Sequence, residues 1–376
     1  MQYLLALGAV TLSSIILYGL SIWFGRRNQV LDKPGPDVPK RERVVTLLWL
    51  PACVAIFLLP WLLWMPELRA VESPFFSLWI WIALVWWVSF VDELWRIVDP
   101  KYRISAPIRL GVHILAALIA LLWSGVWIDI WSLLTESFVW PVLESIWIGS
   151  WWVLLSAIAT VAWFLLCINS INWMDWVYGA ATWLSSLWFY TISALITFVV
   201  LPWYESISLE RESLLVSVAL VSCGIWIITT IGARLEVRPI ALMRDVWTMT
   251  FWFALAYLAL LWWAKIWTLL VVLMIPLLDA IWVIGVRLFV KKKNPLGWDF
   301  SHVHFRLLAL WWNRAEIRAF LWIGSLVLMI VMMLLWTDQI AKVIVFVISG
   351  LLFFGLNWYL FIKKWLPDEY DWKTHG

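Results

Sequence analysis

Residues 153–179 read V-L-L-S-A-I-A-T-V-A-W-F-L-L-C-I-N-S-I-N-W-M-D-W-V-Y-G, an apolar run that stops at a polar island before a second apolar run begins. No charge occurs from 147 to 168, and at about 1.5 Å of rise per residue a helix over that stretch is long enough to cross a bilayer. In the island, Asn169, Asn172 and Asp175 recur at every third position. On a helix end that spacing points two amides and a carboxylate roughly the same way. Polar side chains at membrane depth are costly and usually serve a ligand or a partner. A helix cap with interhelical hydrogen bonds accounts for the same three residues.

Outward from this stretch the pattern repeats. Apolar runs of spanning length occur at 3–24, 45–65, 76–91, 107–127, 147–168, 177–201, 213–232, 246–264, 266–289, 317–336 and 340–362. Over 376 residues the composition is 64% hydrophobic and 14% charged, with mean hydropathy +0.91, which excludes an ordinary soluble domain. The expected fold is all-α: a polytopic integral membrane protein with about eleven transmembrane helices, since lipid-exposed backbone must satisfy its own hydrogen bonds. The first run, from Tyr3 to Phe24, lacks a basic leader and a small-residue cleavage site and reads as a retained span. Cys53, Cys167 and Cys223 lie in apolar segments without metal-ligand spacing. The segments 25–44, 92–109, 169–176, 233–245 and 287–318, with the C-terminal tail, carry 23 of the 27 Lys and Arg. That bias predicts the N-terminus outside, the C-terminus cytoplasmic, and a multi-pass protein of the cell membrane.

In this topology the polar clusters collect on the cytoplasmic side: Asp92-Glu93, the island from Asn169 to Asp175, Asp245, and Asp299 with His302, His304 and Arg306. Carboxylates and amides from separate loops are hard oxygen donors that suit Mg²⁺, with Mn²⁺ possible, better than zinc. Lys101, Arg103, Lys291, Lys292, Lys293 and Arg306 supply the positive charge that a phosphate or diphosphate requires. A divalent cation and basic groups beside a bilayer point to phosphoryl transfer involving a lipid. Asp92-Glu93 alone also reads as a solvated helix end, and Lys291 to Lys293 as an anchor on anionic lipid. No third soft ligand accompanies His302 and His304, so zinc fits poorly. Arg287, at the end of a run, is expected to snorkel to the interface. Asp279 lies deeper and is either functional or paired with another helix, and His113 is expected to be a satisfied interhelical partner.

These segments resemble the polyprenyl-phosphate N-acetylhexosamine-1-phosphate transferases of glycosyltransferase family 4. V-D-E-L at 91–94 with P-K-Y-R at 100–103 resembles the family's paired acids and basic loop. N-S-I-N-W-M-D-W-V-Y-G at 169–179 resembles its N-x-x-N-x-x-D-G-x-D-G motif, and A-L-M-R-D-V-W-T-M-T-F-W-F at 241–253 resembles F-M-G-D-x-G-S-x-x-x-G-F. P-L-L-D at 276–279 and S-H-V-H-F-R-L-L at 301–308 resemble P-L-x-D and H-x-H-H-R. The resemblance implies one domain over 1–376, its motif-bearing part about 33–313, with two further spans and a cytoplasmic tail over 317–376. It implies Mg²⁺-dependent transfer of a sugar-1-phosphate, in the N-acetylglucosamine branch, from a UDP-sugar to polyprenyl phosphate. The products are polyprenyl-diphosphate-sugar and UMP, and the step starts cell-envelope polysaccharide synthesis such as lipopolysaccharide or teichoic-acid linkage.

By the same resemblance Asp245 and Asn172 hold the metal, Asp92 and Glu93 position or deprotonate the lipid phosphate, and Asn169 and Asp175 lie by the nucleotide. Lys101, Arg103, His302, His304 and Arg306 serve the diphosphate or sugar. The implied partners are the UDP-sugar, polyprenyl phosphate and membrane lipid, with no nucleic acid and a possible homodimer. A phospho-N-acetylmuramoyl-pentapeptide transferase is the alternative within the family; a lipid-binding or transport protein without catalysis is the alternative outside it.

The chain departs from the family at Glu93, Tyr178, Arg244 and Phe305, and most conspicuously at tryptophan. It has 37 Trp and only 16 Gly, where glycine usually makes up roughly 7% of a protein. Trp176, Trp183, Trp247 and Trp252 stand where the family has glycine, as Trp49 and Trp311 do by a looser alignment. Glycine lets backbone approach a ligand or another helix, and an indole in its place is expected to overfill the space. The shared direction of these departures predicts that many of these tryptophans come from a source that reads UGA as glycine, with the sequence translated as though UGA encoded tryptophan; the alternative is a genuinely tryptophan-rich, inactive relative.

Overall fold

The computed structural model describes residues 2–32, 44–45, 74–98, 104–124, 149–175, 177–203, 209–238, 240–261, 270–271, 273–294, 300–310, 312–335 and 338–363. In chain order the helices are α1 (Gln2–Arg27), α2 (Pro74–Val98), α3 (Ala106–Ser124), α4 (Gly149–Asn172), α5 (Ala180–Leu195), α6 (Leu209–Val237), α7 (Arg244–Leu261), α8 (Met274–Gly285), α9 (Val303–Ala309), α10 (Arg314–Leu334) and α11 (Gln339–Lys363). π-Helical turns extend α5 over Ile196–Val200 and α8 over Val286–Val290. Strands β1 (Leu31–Asp32) and β2 (Val44–Val45) form a two-residue antiparallel ladder.

The all-helical reading holds for the described residues apart from that ladder. Among the described residues, six helices are long and apolar enough to cross a membrane: Leu7–Arg27, Val153–Asn172, Ala180–Val200, Glu212–Val237, Arg314–Leu334 and Ile340–Lys363. Ala106–Leu122 and Val246–Leu261 are shorter apolar helices. Of the expected run 45–65 only Val45 is described, in β2; each of the other runs lies mainly in helix where it is described.

The helices pack around α7, which touches α2, α4 and α5, while α5 makes its broadest contact with α6. Phe251, Trp252, Phe253, Ala254, Ala256 and Tyr257 of α7 are all buried. Polar side chains add hydrogen bonds across these apolar interfaces, as membrane helices require where lipid offers no hydrophobic drive. Trp163 Nε1 donates to the Ala256 carbonyl at 3.2 Å, and Ser186 and Thr230 hydroxyls meet at 2.6 Å. At the start of α10, Asn313 and Glu316 form a reciprocal capping box that fixes where the helix begins.

The tryptophans in family-glycine positions are accommodated. Trp252 is fully buried, donates its indole N–H to Ser185 Oγ at 2.9 Å, and meets Trp188 edge-on at 4.3 Å between ring centres. Trp247 lies between Tyr18 and Phe251, and Trp183 meets Trp322. The expected overfilling is absent at these three because each indole packs against aromatic neighbours, and Trp252 also against a small serine. Trp49, Trp176 and Trp311 lie outside the described residues.

Candidate functional site

The polar island begins where α4 ends. Asn172 is the last helical residue, Trp173 to Asp175 form a turn, and Gly179 restarts the chain at φ +76°, the left-handed region that favours glycine. A Cβ on Gly179 would lie 2.7 Å from Val237 Cγ2, so the approach of α6 also demands its absence. Because the helix stops at Asn172, the three-residue period does not carry through to Asp175. Asn169 Nδ2 turns back to the Leu165 carbonyl at 2.7 Å, whereas Asn172 Oδ1 accepts from Thr248 Oγ1 across the interface at 3.2 Å. Asp175 sits half-buried in the turn.

The Asn172–Thr248 bond brings the end of α4 against the first turn of α7. That turn contains the backbone of Asp245; its side chain lies outside the described set. Arg244 has φ +62°, a conformation that burdens any residue with a Cβ. Glu236 holds the connection into this turn: it accepts from Met243 N at 2.6 Å and from Thr182 Oγ1 at 2.5 Å. Gly232 makes room, since a Cβ there would collide with Met243 Cε. Glu93, buried on α2, approaches Arg244 Nε at 3.8 Å.

A second constellation forms where α8, its π-turn and α9 meet. Asp279 is 1% exposed; its Oδ1 accepts from Val303 N at 2.9 Å and its Oδ2 lies 2.8 Å from His302 Nδ1. One carboxylate thus satisfies a first-turn N–H of α9 and orients an imidazole. On the other side of that ring, His302 Nε2 lies 3.4 Å from Arg287 Nη2. Trp173 flanks both, 5.5 Å from the imidazole and 5.3 Å from the guanidinium. The island, P-L-L-D and H-V-H therefore share a contact.

Three expectations change here. Arg287 does not snorkel: it is 2% exposed and turned inward from the π-turn, while Leu288, Phe289 and Val290 beside it are exposed. Arg306 is turned away from His302, because its Nη1 donates to the Asn357 carbonyl at 2.9 Å and its guanidinium packs over Trp282 and Phe361. His113 is buried with Nδ1 unpartnered among the described residues.

His304 stacks 5.6 Å from His302 and packs on Phe305 at 4.2 Å, fully buried, with neither ring nitrogen hydrogen-bonded among the described residues. Burial lowers its pKa to about 3, with the neighbouring His302 lowering it further and Asp279 opposing.

Asp92 is engaged on both oxygens, accepting from Ile104 N at 2.7 Å and pairing with Arg109 Nη1 at 3.1 Å. It ties the end of α2 to the start of α3. Lys101, Arg103 and Asp299 lie outside the described residues. Sequence reasoning missed Trp173, Thr248, Glu236 and the inward role of Arg287. For Arg287 a signal existed, its spacing of eight residues, about two turns, from Asp279.

Among the described residues no three His, Cys, Asp or Glu side chains gather as a metal cluster. The amide oxygen of Asn172, held by Thr248 beside the turn that carries Asp245, is a hard donor suited to Mg²⁺. That ion is usually bound through one or two carboxylates plus water and phosphate, and among the described side chains here Asn172 offers one neutral amide oxygen beside this turn. No protein-family model and no curated protein matches the chain.

Proposed function

We propose that the protein is a Mg²⁺-dependent membrane transferase that moves a sugar-1-phosphate, N-acetylglucosamine-1-phosphate in our reading, from a UDP-sugar to polyprenyl phosphate. The observation that carries the proposal is convergence. The polar island, the first turn of α7, and the Asp279–His302 pair are far apart in sequence, yet Asn172–Thr248 and Trp173–His302 contacts join them at one end of the helical bundle. We place that end on the cytoplasmic side of an eleven-span protein, with the N-terminus outside, on the strength of the Lys and Arg distribution.

In the reaction, an oxygen of polyprenyl phosphate forms a bond to the sugar-bearing phosphorus. The bond from that phosphorus to the bridging oxygen breaks, and UMP leaves with the bridging oxygen. Asn172 and Asp245 would hold Mg²⁺, which when bound supplies charge neutralisation on the phosphates. Asp92 positions the α2–α3 connection through Arg109 and Ile104 rather than acting as a free base. Asp175 borders the nucleotide, and the buried cation Arg287 adds positive potential beside His302.

The test is UMP release from UDP-sugars in the presence of polyprenyl phosphate and Mg²⁺, with Asp245→Ala as the control. Turnover by the chain and its loss in folded Asp245→Ala is the expected result; turnover retained by Asp245→Ala removes that residue as metal ligand. We further propose, from the alignment of the motifs and not from packing, since the three described indoles fit, that the source protein carries glycine at Trp176, Trp183, Trp247 and Trp252. Peptide sequencing of the protein from its source, or UGG codons at those positions, decides this. Both chains enter the assay, and the absence of turnover in both, when folded, overturns the enzymatic reading.

A further inference from the structure

We propose that Asp279 is a positioning residue that fixes His302 in the tautomer protonated at Nδ1, leaving Nε2 a hydrogen-bond acceptor that faces Arg287. The reasoning rests on which atoms can donate. An ionised carboxylate only accepts and a guanidinium only donates. His302 Nδ1 faces Asp279 Oδ2 at 2.8 Å, so the ring must supply the proton there. His302 Nε2 faces Arg287 Nη2 at 3.4 Å, so the ring must supply the lone pair there. Both neighbours select the same tautomer, and neither is free to rotate out of the arrangement. Asp279 is held through its other oxygen by Val303 N, and Arg287 lies over Trp173.

The charged and titratable groups found around the ring are Asp279 on α8, Arg287 on its π-turn and His304 on α9, with Trp173 closing the side toward the island. An acceptor at Nε2 has a chemical consequence. It cannot bond an unprotonated phosphate oxygen, which has no proton to give, and a sugar hydroxyl or amide N–H reaches it by taking the place of the Arg287 contact. The identity of that ligand rests on the nucleotide-sugar reading; the tautomer does not.

The experiment uses the full chain in nanodiscs with ¹⁵N-labelled histidine. The sequence has four histidines, and His302→Gln assigns the resonance. At about pH 8, above the range where imidazoles ordinarily titrate, the His302 signal is expected to show a proton on Nδ1 and a bare Nε2. Asp279→Asn is expected to shift part of the population to a proton on Nε2, against the remaining preference set by Arg287, because the amide cannot accept from both Val303 N and His302 with its single oxygen. Asp279→Glu, which keeps two acceptors, is expected to restore the original pattern.

A wild-type spectrum with Nε2 protonated, or one unchanged in folded Asp279→Asn, overturns the proposal; if Asp279→Asn does not fold, the wild-type spectrum alone decides. In the UMP assay, His302→Gln, which retains an acceptor, should outperform His302→Lys, a donor only, by about tenfold, the scale of one hydrogen bond. The reverse order overturns the acceptor role. An expected spectrum with no turnover from any UDP-sugar leaves the tautomer standing and counts against the transferase reading instead.

Discussion

Asp92 and Asp279 are both buried carboxylates at the same end of the helical bundle, and their surroundings differ. Asp92 pairs with Arg109, whose side chain is 17% exposed, and with the backbone of Ile104. Asp279 is enclosed, and it faces an imidazole whose far nitrogen meets the buried Arg287. The first carboxylate is neutralised by a cation that reaches solvent, so its work is to join two helices. The second controls a ring that can change its proton arrangement, with a full positive charge behind it. An acidic residue at a site is thus classified by what its partner can still do.

The largest effect expected from this contrast is at Asp279. Asp279→Ala removes the acceptor of a buried N–H and leaves Arg287 in a low-dielectric setting without the compensating carboxylate. A loss of about 3–5 kcal/mol is expected in denaturant unfolding from detergent, the range for a broken buried pair. Asp92→Ala should lose less, about 1–3 kcal/mol, the penalty of a buried donor left unmade, because Arg109 can turn to water. Equal losses at the two sites would erase the distinction between them.

The third effect is a pH dependence. His304 is neutral in the fold, with its pKa lowered to about 3, whereas an unfolded histidine titrates near about 6.5. Between those values the unfolded chain binds the extra proton, so stability falls as pH drops, by at most about 1.4 kcal/mol per pH unit. His304→Phe should flatten that slope in unfolding midpoints measured across the window. An unchanged slope shows that this imidazole takes up its proton without unfolding, and places its titration with the more open Asp92 end of the site.

Much of the helical architecture was legible because spanning length and hydropathy are local properties of the chain. The polar island and the pairing of separate motifs on one end were legible for a similar reason: the polar residues interrupt apolar runs at characteristic places. Side-chain direction was not. Arg287 and Arg306 look alike in sequence, each a lone cation near a helix, yet a π-turn carries one toward His302 and the other seats on the carbonyl of Asn357 fifty-one residues away. Glu236 gave no pattern, because its partners Thr182 and Met243 belong to different elements. The space around tryptophan was not legible, because its neighbours come together only in three dimensions: Trp252 fits because Ser185 offers an oxygen to its N–H.

The smallest effect separates a contact that merely exists from one that holds backbone. Glu93 approaches Arg244 at 3.8 Å, too long for a hydrogen bond, yet Arg244 is in the left-handed region where some restraint is needed. Glu93→Gln keeps the shape and an acceptor oxygen while removing the charge. If Glu236, through Met243 N, already holds the turn, Glu93→Gln should lose less than about 1 kcal/mol, the scale of one modest hydrogen bond. Glu236→Ala should then exceed it clearly in the same denaturant series. A larger loss at Glu93 reverses that ranking: the charge on α2, rather than the carboxylate on α6, would be what keeps Arg244 at positive φ, and Glu93 would join Asp279 among the acids whose partner matters more than their burial.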